Sequence, residues 1–276
     1  MQIKDKVVLI TGASSGFGED AARLFAAEGA RVVIAARRED KLRQIASQIE
    51  ATGGYCLPIA FDIADPASCQ ALVDQVLKTF GRVDVLFNNA GMGRLHFLDA
   101  QDLQADILPQ LQVNLFGLIA LTRMVLPAMI QQQSGHIINM SSVAGWIGSP
   151  LYTIYSATKF GVRGFTESLR MEARLHNIHV SGVYPGPATT EFGQHIGLNG
   201  GERTIKVPHK LGMTSHYVAS KVVDLVRRPR PNLILPIYFI PLIWFSQNFP
   251  GMASWLVARF YLAGQRAATQ KQPTGE

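Results

Sequence analysis

The chain has 276 residues, of which 47% are apolar and 17% charged, a balance that fills a large core and excludes an intrinsically disordered protein. The net charge of +6 is uneven: ten basic and three acidic residues follow position 201, a net +7, and the first 201 residues carry −1. Two isolated cysteines, Cys56 and Cys69, form no C-x-x-C pair and exclude a disulfide scaffold; buried thiols in a reducing compartment are expected, with a disulfide between them as the lesser alternative.

The N-terminal "MQIKDKVVLI" enters a strand-like run at once, without the apolar h-region of a signal peptide, so a cytoplasmic protein is expected. The β-branched runs "KVVLI" and "RVVIAA" flank a helical pattern from Gly18 to Gly29. The second helix, "KLRQIASQIEATGG", ends on glycines. Strands are predicted in "CLPIAFDI" and "VDVLFNNAG", with the helix "PASCQALVDQVLKTFG" between them. A long helix around Gln110–Gln131, the strand "HIINMSS", a helix carrying Tyr155 and the strand "HVSGVYPG" follow. Strand–helix alternation with nearly continuous apolar strands predicts an α/β fold: a doubly wound parallel sheet with helices on both faces. No linker or repeat interrupts it, so one domain is expected.

The first strand runs through "TGASSGFG" into a helix, placing glycines at Gly12, Gly16 and Gly18. Glycine permits a sharp turn and a close approach by a pyrophosphate, which the helix N-terminus would then face with free N–H groups. An ordinary strand-to-helix turn is the competing reading, and its place on the first strand of an alternating chain favours nucleotide binding. The second strand ends in "AARRED". An acid there would bond a ribose 2′-hydroxyl, but Ala36, Arg37 and Arg38 occupy the place, and guanidinium forks suit a 2′-phosphate. NADP(H) is therefore expected over NAD(H), with two merely solvated arginines as the alternative.

In "YTIYSATKF", Tyr155 and Lys159 lie four apart, on one face of a helix. A cation beside a phenol favours the phenolate and lowers its pKa, although the same pair would also suit a plain helix surface.

With the glycine turn, "NNAG" and Y-x-x-x-K in this order, the chain resembles the short-chain dehydrogenase/reductase family over roughly residues 5–192. The resemblance implies a Rossmann-type core, and it assigns roles residue by residue. Gly12, Ser14, Ser15, Gly16, Phe17 and Gly18 fall on the cofactor turn, with Phe17 where a smaller aliphatic residue is usual. Asp62, followed by Ile63, falls on the acid that holds the adenine amine; Asn89, Ala90 and Gly91 fall on the segment beside the adenine ribose. Asn114 matches the asparagine of a proton relay, and Ser142, 13 residues before Tyr155, the serine that bonds the substrate oxygen. Tyr155 becomes the general acid and base, with Lys159 lowering its pKa; both also touch the cofactor. Pro185, Gly186 and Ala188 match the segment over the nicotinamide, with Thr190 at the carboxamide position. Tyr152 has Ser156 rather than a lysine four residues on and reads as a pocket wall; Ser141 is the less suited of the serine pair by spacing. The seven histidines show no metal-binding spacing, so no metal is expected.

The family signal fades after Thr190. "EFGQHIGLNGGERTIKVPHK" lies where the family has a substrate-covering segment, and residues 193–276 are expected to add this segment, a last strand "LILP" and an apolar helical extension to the core of residues 1–192. From Pro231 to Ala258 no residue is charged, a run of 28. Three readings stay open for it: a buried strand with helices packed on the domain or on a partner subunit; monotopic attachment through Trp244, Phe245 and Trp255 with arginines at anionic head groups; or a transmembrane span, which Pro236, Pro241 and Pro250 oppose. A small hydrophobic carbonyl or alcohol substrate is expected, with Met92, Leu95, Trp146 and Phe192 as candidate pocket residues. The resemblance also implies a homodimer or homotetramer. A nucleic-acid partner is not expected. The rival to an active oxidoreductase is a membrane-associated NADP(H)-binding regulator.

Overall fold

The computed structural model describes residues 1–189 and 212–269. Seven parallel strands form one sheet in the order β3-β2-β1-β4-β5-β6-β9. They are β1 (Val7–Thr11), β2 (Arg31–Ala36), β3 (Tyr55–Ala60), β4 (Val85–Asn88), β5 (Gly135–Met140), β6 (Ile178–Pro185) and β9 (Asn232–Leu235). Two short strands, β7 (Ala188–Thr189) and β8 (Met213–Thr214), pair separately.

Both faces of the sheet are covered because alternate strand residues point opposite ways and nearly all are apolar. Val8, Ile10, Val32 and Ile34 pack toward α1 (Gly16–Ala27) and α2 (Glu39–Glu50). Val7, Leu9, Val33 and Ala35 face the opposite layer, built from α3 (Pro66–Phe80), α4 (Leu103–Gln132) and α5 (Thr153–Ala173). Cys56 belongs to the first layer and Cys69 to the second; both are buried and free, so the alternative of a disulfide between them falls. Burial pushes their thiols up to about 12 and about 11.

The helix boundaries follow local chemistry. Asp65 caps α3 by accepting from Ala67 N, Pro66 stands at its first position, and Gly81 ends it at φ 70°. Helix α4 departs from a plain helix. Its segments Leu103–Ile107 and Gln112–Phe116 are π-turns, the second carrying Asn114. α4 is long and apolar enough to cross a membrane, but Leu118, Leu121, Val125 and Met129 are buried in the core beneath the sheet.

Helix α6 (Ser215–Arg227) was not anticipated in the sequence analysis, although Val218, Val222, Val223 and Val226 have helical spacing and Thr214 supplies the cap. It packs beside α1. "LILP" does supply the last strand, β9, parallel to β6. The rest of the uncharged run divides into α7 (Phe239–Asn248) and α8 (Pro250–Thr269), so no single helix spans it and the transmembrane reading falls.

Strand order reverses at β1, which has β2 on one side and β4 on the other. In such sheets the crevice at the carboxyl ends of the strands beside that reversal receives ligands. The glycine turn and "NNAG" both open there.

Candidate active site

The turn after β1 is built for close approach. Gly12 has φ +63°, and a Cβ on it would lie 2.7 Å from Ala90 Cα; one on Gly18 would lie 2.6 Å from both Asn89 Nδ2 and Gly12 O. Gly16 has φ +59°. Thr11 Oγ1 accepts from Asn89 N and Ala90 N at 3.0 Å, and Asn89 Nδ2 donates to Thr11 O and Gly12 O. The two loops are thus stitched together, a role for Thr11 that the sequence reading missed. Ser15 precedes α1 without capping it through its side chain. The first N–H groups of α1 therefore face the crevice with no side chain bonded to them there, the arrangement an anionic pyrophosphate fits. Phe17 packs against the core on the α1 side.

Beyond β2, Arg37 and Arg38 are exposed. Arg38 reaches back to the turn: its Nε and a terminal nitrogen donate to Ser14 Oγ at 3.2 and 3.1 Å, and the latter also to Ser14 O at 3.2 Å. A guanidinium therefore closes the glycine turn where a carboxylate would stand in an enzyme selecting a free 2′-hydroxyl. Asp62 is half-buried; its Oδ1 accepts from Ala64 N at 2.9 Å, and Ile63 is buried behind it, its carbonyl packed on Gly117.

Helix α5 carries Tyr155 and Lys159. Tyr155 is 9% exposed and Lys159 4%. Lys159 Nζ lies 5.5 Å from the centre of the Tyr155 ring and donates to Met140 O, at the end of β5, at 3.0 Å. A Cβ on Gly91 would lie 3.6 Å from Lys159 Nζ and 3.4 Å from Asn114 Oδ1, so Gly91, Lys159 and Asn114 converge. Asn114 accepts from Met92 N at 2.7 Å and donates to Met92 O at 2.8 Å and Thr158 Oγ1 at 3.2 Å. With its side chain so engaged, and the π-turn displacing the regular carbonyl ladder around it, Asn114 anchors the loop carrying Gly91.

Ser142 follows β5 and hydrogen-bonds the Tyr155 phenol, an interaction that favours the phenolate. Its Oγ accepts from Ala144 N at 3.1 Å, and Pro185 O, 3.3 Å away, competes with the phenol for its single hydrogen. Ser141 Oγ instead donates to Lys159 O at 2.9 Å, a contact that tethers α5. Tyr152 stands edge-on to Tyr155 at 6.1 Å.

In the chain alone, burial pushes the Tyr155 phenol well above its usual value despite its hydrogen bond with Ser142. Burial likewise lowers the Lys159 ammonium to about 8, and it also raises Tyr152. Desolvation disfavours charge on either group.

On the far side, Gly186 N donates to Leu235 O at 2.7 Å, and Pro187 O and Ala188 join β8. A Cβ on Gly186 would lie 2.5 Å from the Phe239 ring of α7. Gln247, also on α7, donates to Trp146 O at 3.1 Å. Neither α7 contact was anticipated, because an apolar run carries no local mark of its partner. Leu95 packs with Leu151 and Tyr155. Trp146 turns its ring onto Arg163, 3.4 Å away, and edge-on to Tyr184. Thr190, Phe192 and the segment Glu191–Lys210 lie outside the described residues.

A buried phenol bonded by a serine, backed by an ammonium and set beside a glycine cradle at the reversal of a parallel sheet, is equipped for proton-coupled oxidoreduction. The short chain dehydrogenase family model matches residues 6–199. Among similar proteins, an uncharacterized oxidoreductase of Staphylococcus saprophyticus is 36% identical over 235 residues, 84% of this chain and 94% of its own. The dehydrogenase/reductase SDR family protein 7-like of Drosophila melanogaster is 34% identical over 267 residues, 94% of this chain and 81% of its own. A short chain dehydrogenase/reductase from Burkholderia phymatum, solved with NAD, superposes with a TM-score of 0.82 at 27% identity, covering 90% of this chain and 95% of that one. An alcohol dehydrogenase from Thermococcus sibiricus, complexed with 5-hydroxy-NADP, gives 0.75 at 26% identity, covering 84% and 96%. The chain belongs to the short-chain dehydrogenase/reductase family of oxidoreductases.

Proposed function

We propose that the chain is an NADP(H)-dependent oxidoreductase that interconverts a carbonyl and an alcohol on a hydrophobic substrate, of lipid, steroid or retinoid type. The observation that carries this reading is the convergence of Ser142, Lys159 and Asn114 around the buried Tyr155 and Gly91. The turn Gly12, Ser14, Ser15, Gly16, Phe17 and Gly18 would hold the pyrophosphate. Arg37 and Arg38 would meet the 2′-phosphate, and Asp62 and Ile63 the adenine. Asn89, Ala90 and Gly91 would line the adenine ribose. Tyr155, Lys159, Pro185, Gly186, Ala188 and Thr190 would surround the nicotinamide half. Bound there, the reduced cofactor supplies the hydride and, once oxidised, a positive charge.

In the reductive direction Tyr155 Oη gives its proton to the carbonyl oxygen, and Ser142 Oγ–H bonds the same oxygen as negative charge grows on it. Lys159 holds the phenolate that remains. Asn114 keeps a water chain to Lys159, through which Tyr155 regains its proton. Leu95 packed on Tyr155 supports an apolar substrate wall. We read the helices around Gln110–Gln131 and Tyr155–His176 as the contact of a homodimer or homotetramer, and the location as cytoplasmic, with peripheral attachment to the inner face of a membrane as the alternative.

The test is NADPH oxidation by the purified chain, with NADH in parallel, against carbonyls graded by apolar size, repeated with Tyr155→Phe. Turnover that prefers NADPH, rises with apolar size and falls at least about a hundredfold in the variant, with cofactor binding kept, supports the reading. Tight NADPH binding without turnover of any carbonyl would favour a regulatory protein. Full activity in Tyr155→Phe would overturn the mechanism.

A further inference from the structure

Helices α7 and α8 are covered very unevenly. Of α7, Ile243 alone is buried, and Ala253 is the one buried residue in the described part of α8. Ile237 is 74% exposed, Trp244 61%, Trp255 58% and Phe260 77%. Ile240, Leu242 and Met252 are exposed as well. A soluble chain rarely leaves so many large apolar side chains bare on two consecutive helices unless something covers them.

Charge identifies what covers them. No Asp or Glu occurs from Leu225 to Gly275, and Arg259 stands on α8, whereas Arg227 is already paired with Glu28 and Asp224, and Arg228 and Arg230 lie before β9, at the end of that strand away from α7. The Arg259 guanidinium lies 5.4 Å from the Trp255 ring, so cation and aromatic reach the surface together. A second copy seated here by a two-fold axis would set Arg259 toward its own kind, with no acid in the segment to pair it. An anionic bilayer surface supplies both an apolar layer and negative head groups.

The face is also tied to the active site. Phe239 of α7 lies over Gly186, beside the Pro185–Ser142 contact, and Gln247 holds the backbone of Trp146 in the loop that follows Ser142. We propose that α7 and α8 form a monotopic docking face for an anionic lipid bilayer. Docked in this way, the chain draws its substrate from the membrane past Phe239 to Tyr155. The delivery half rests on the hydrophobic-carbonyl reading above.

The experiment is flotation of the full chain, loaded with NADPH, with vesicles of phosphatidylcholine plus phosphatidylglycerol and with phosphatidylcholine alone. The chain should float with the mixed vesicles and less with the neutral ones. The triple variant Ile240→Gln/Trp244→Gln/Trp255→Gln should partition roughly tenfold less or weaker still. It should keep turnover of a small water-soluble carbonyl while losing turnover of a long-chain ketone held in vesicles. Should that variant misfold, Arg259→Glu should lower binding to the anionic vesicles alone. A wild-type chain that stays in the aqueous phase overturns docking, and so does equal flotation of wild type and variants. Conversion of a larger assembly into a smaller one by the triple substitution, without vesicle binding, would assign the face to a second copy. Docking with unchanged turnover of the vesicle-held ketone overturns delivery. Docking without turnover of the water-soluble carbonyl would count against the proposed reaction and leave the docking face standing.

Discussion

The Lys159 ammonium lies 5.5 Å from the centre of the Tyr155 ring, and both groups are buried. Burial lowers one and raises the other, so in the chain alone each resists the charge it would carry during catalysis. The positive charge of an oxidised nicotinamide would favour the phenolate while opposing the ammonium further, which ties proton transfer to cofactor occupancy.

Lys159 should therefore cost stability. Its pKa is about 8 folded against 10.5 unfolded, so below pH 8 both states hold the proton and folding bears the full burden of a buried ammonium, about 3 kcal/mol. Between 8 and 10.5 the unfolded chain binds the proton that the folded chain has released, and stability rises with pH. Lys159→Met should stabilise the cofactor-free protein at pH 7 by about 1–2 kcal/mol, after allowing for the lost bond to Met140 O, while abolishing turnover. Thermal melts check this, and a variant that melts below the parent at neutral pH refutes it.

The two adjacent serines should separate cleanly. Ser142→Ala removes the hydroxyl that bonds Tyr155 and should lower kcat by roughly a hundred- to a thousandfold with little change in cofactor affinity. Ser141→Ala loses the tether to Lys159 O and should cost about 1 kcal/mol of stability with a much smaller effect on kcat. Comparable losses of kcat in both would show that the pair acts through loop position rather than through the Ser142 hydroxyl.

Arg38 offers a cofactor test. Arg38→Glu places a carboxylate near the end of β2 and removes the bonds to Ser14. The kcat/KM for NADPH should fall by roughly ten- to a hundredfold, with NADH held or improved. Equal losses with both cofactors would mean that Arg38 serves only to hold the turn.

His136 should shape acid stability. It is fully buried, with burial lowering it to about 3, and Ser181 Oγ, which donates to Arg230 O, accepts from its Nε2. The folded pKa lies below the unfolded 6.5, so its contribution is complete above pH 6.5 and is lost as pH falls toward 3. The loss approaches about 1.4 kcal/mol per pH unit. His179, edge-on at 5.8 Å and also lowered, adds to it. Urea unfolding of His136→Leu should show a shallower decline with acid than the parent, by close to one proton. Identical slopes would reject the assignment.

The chain order of strands and helices was legible because each signal is short-range. Continuous β-branched and apolar runs mark β1 and β2, Asp65–Pro66 and Gly81 bracket α3, and Tyr155 and Lys159 are neighbours on any helix. Helix α6 carried the same kind of signal and was passed over beside the polar stretch before it. The π-turn at Asn114 left no such mark, since it depends on how α4 fits around Gly91 and Met92.

By itself the sequence determined the α/β alternation, the glycine turn, the lack of an acid at the end of β2 and the spacing of Tyr155 and Lys159, all set by contacts within a turn or a strand. Only the tertiary structure decided the rest. Packing brought Ser142 and Asn114 to the α5 pair, and burial, which no local pattern encodes, raises the Tyr155 phenol in the chain alone. The same holds for the uncharged run near the C-terminus: β9 was taken into the sheet, where strand β6 awaited a neighbour, and α7 and α8 were left with their apolar side chains outward because the sheet was already covered on both faces.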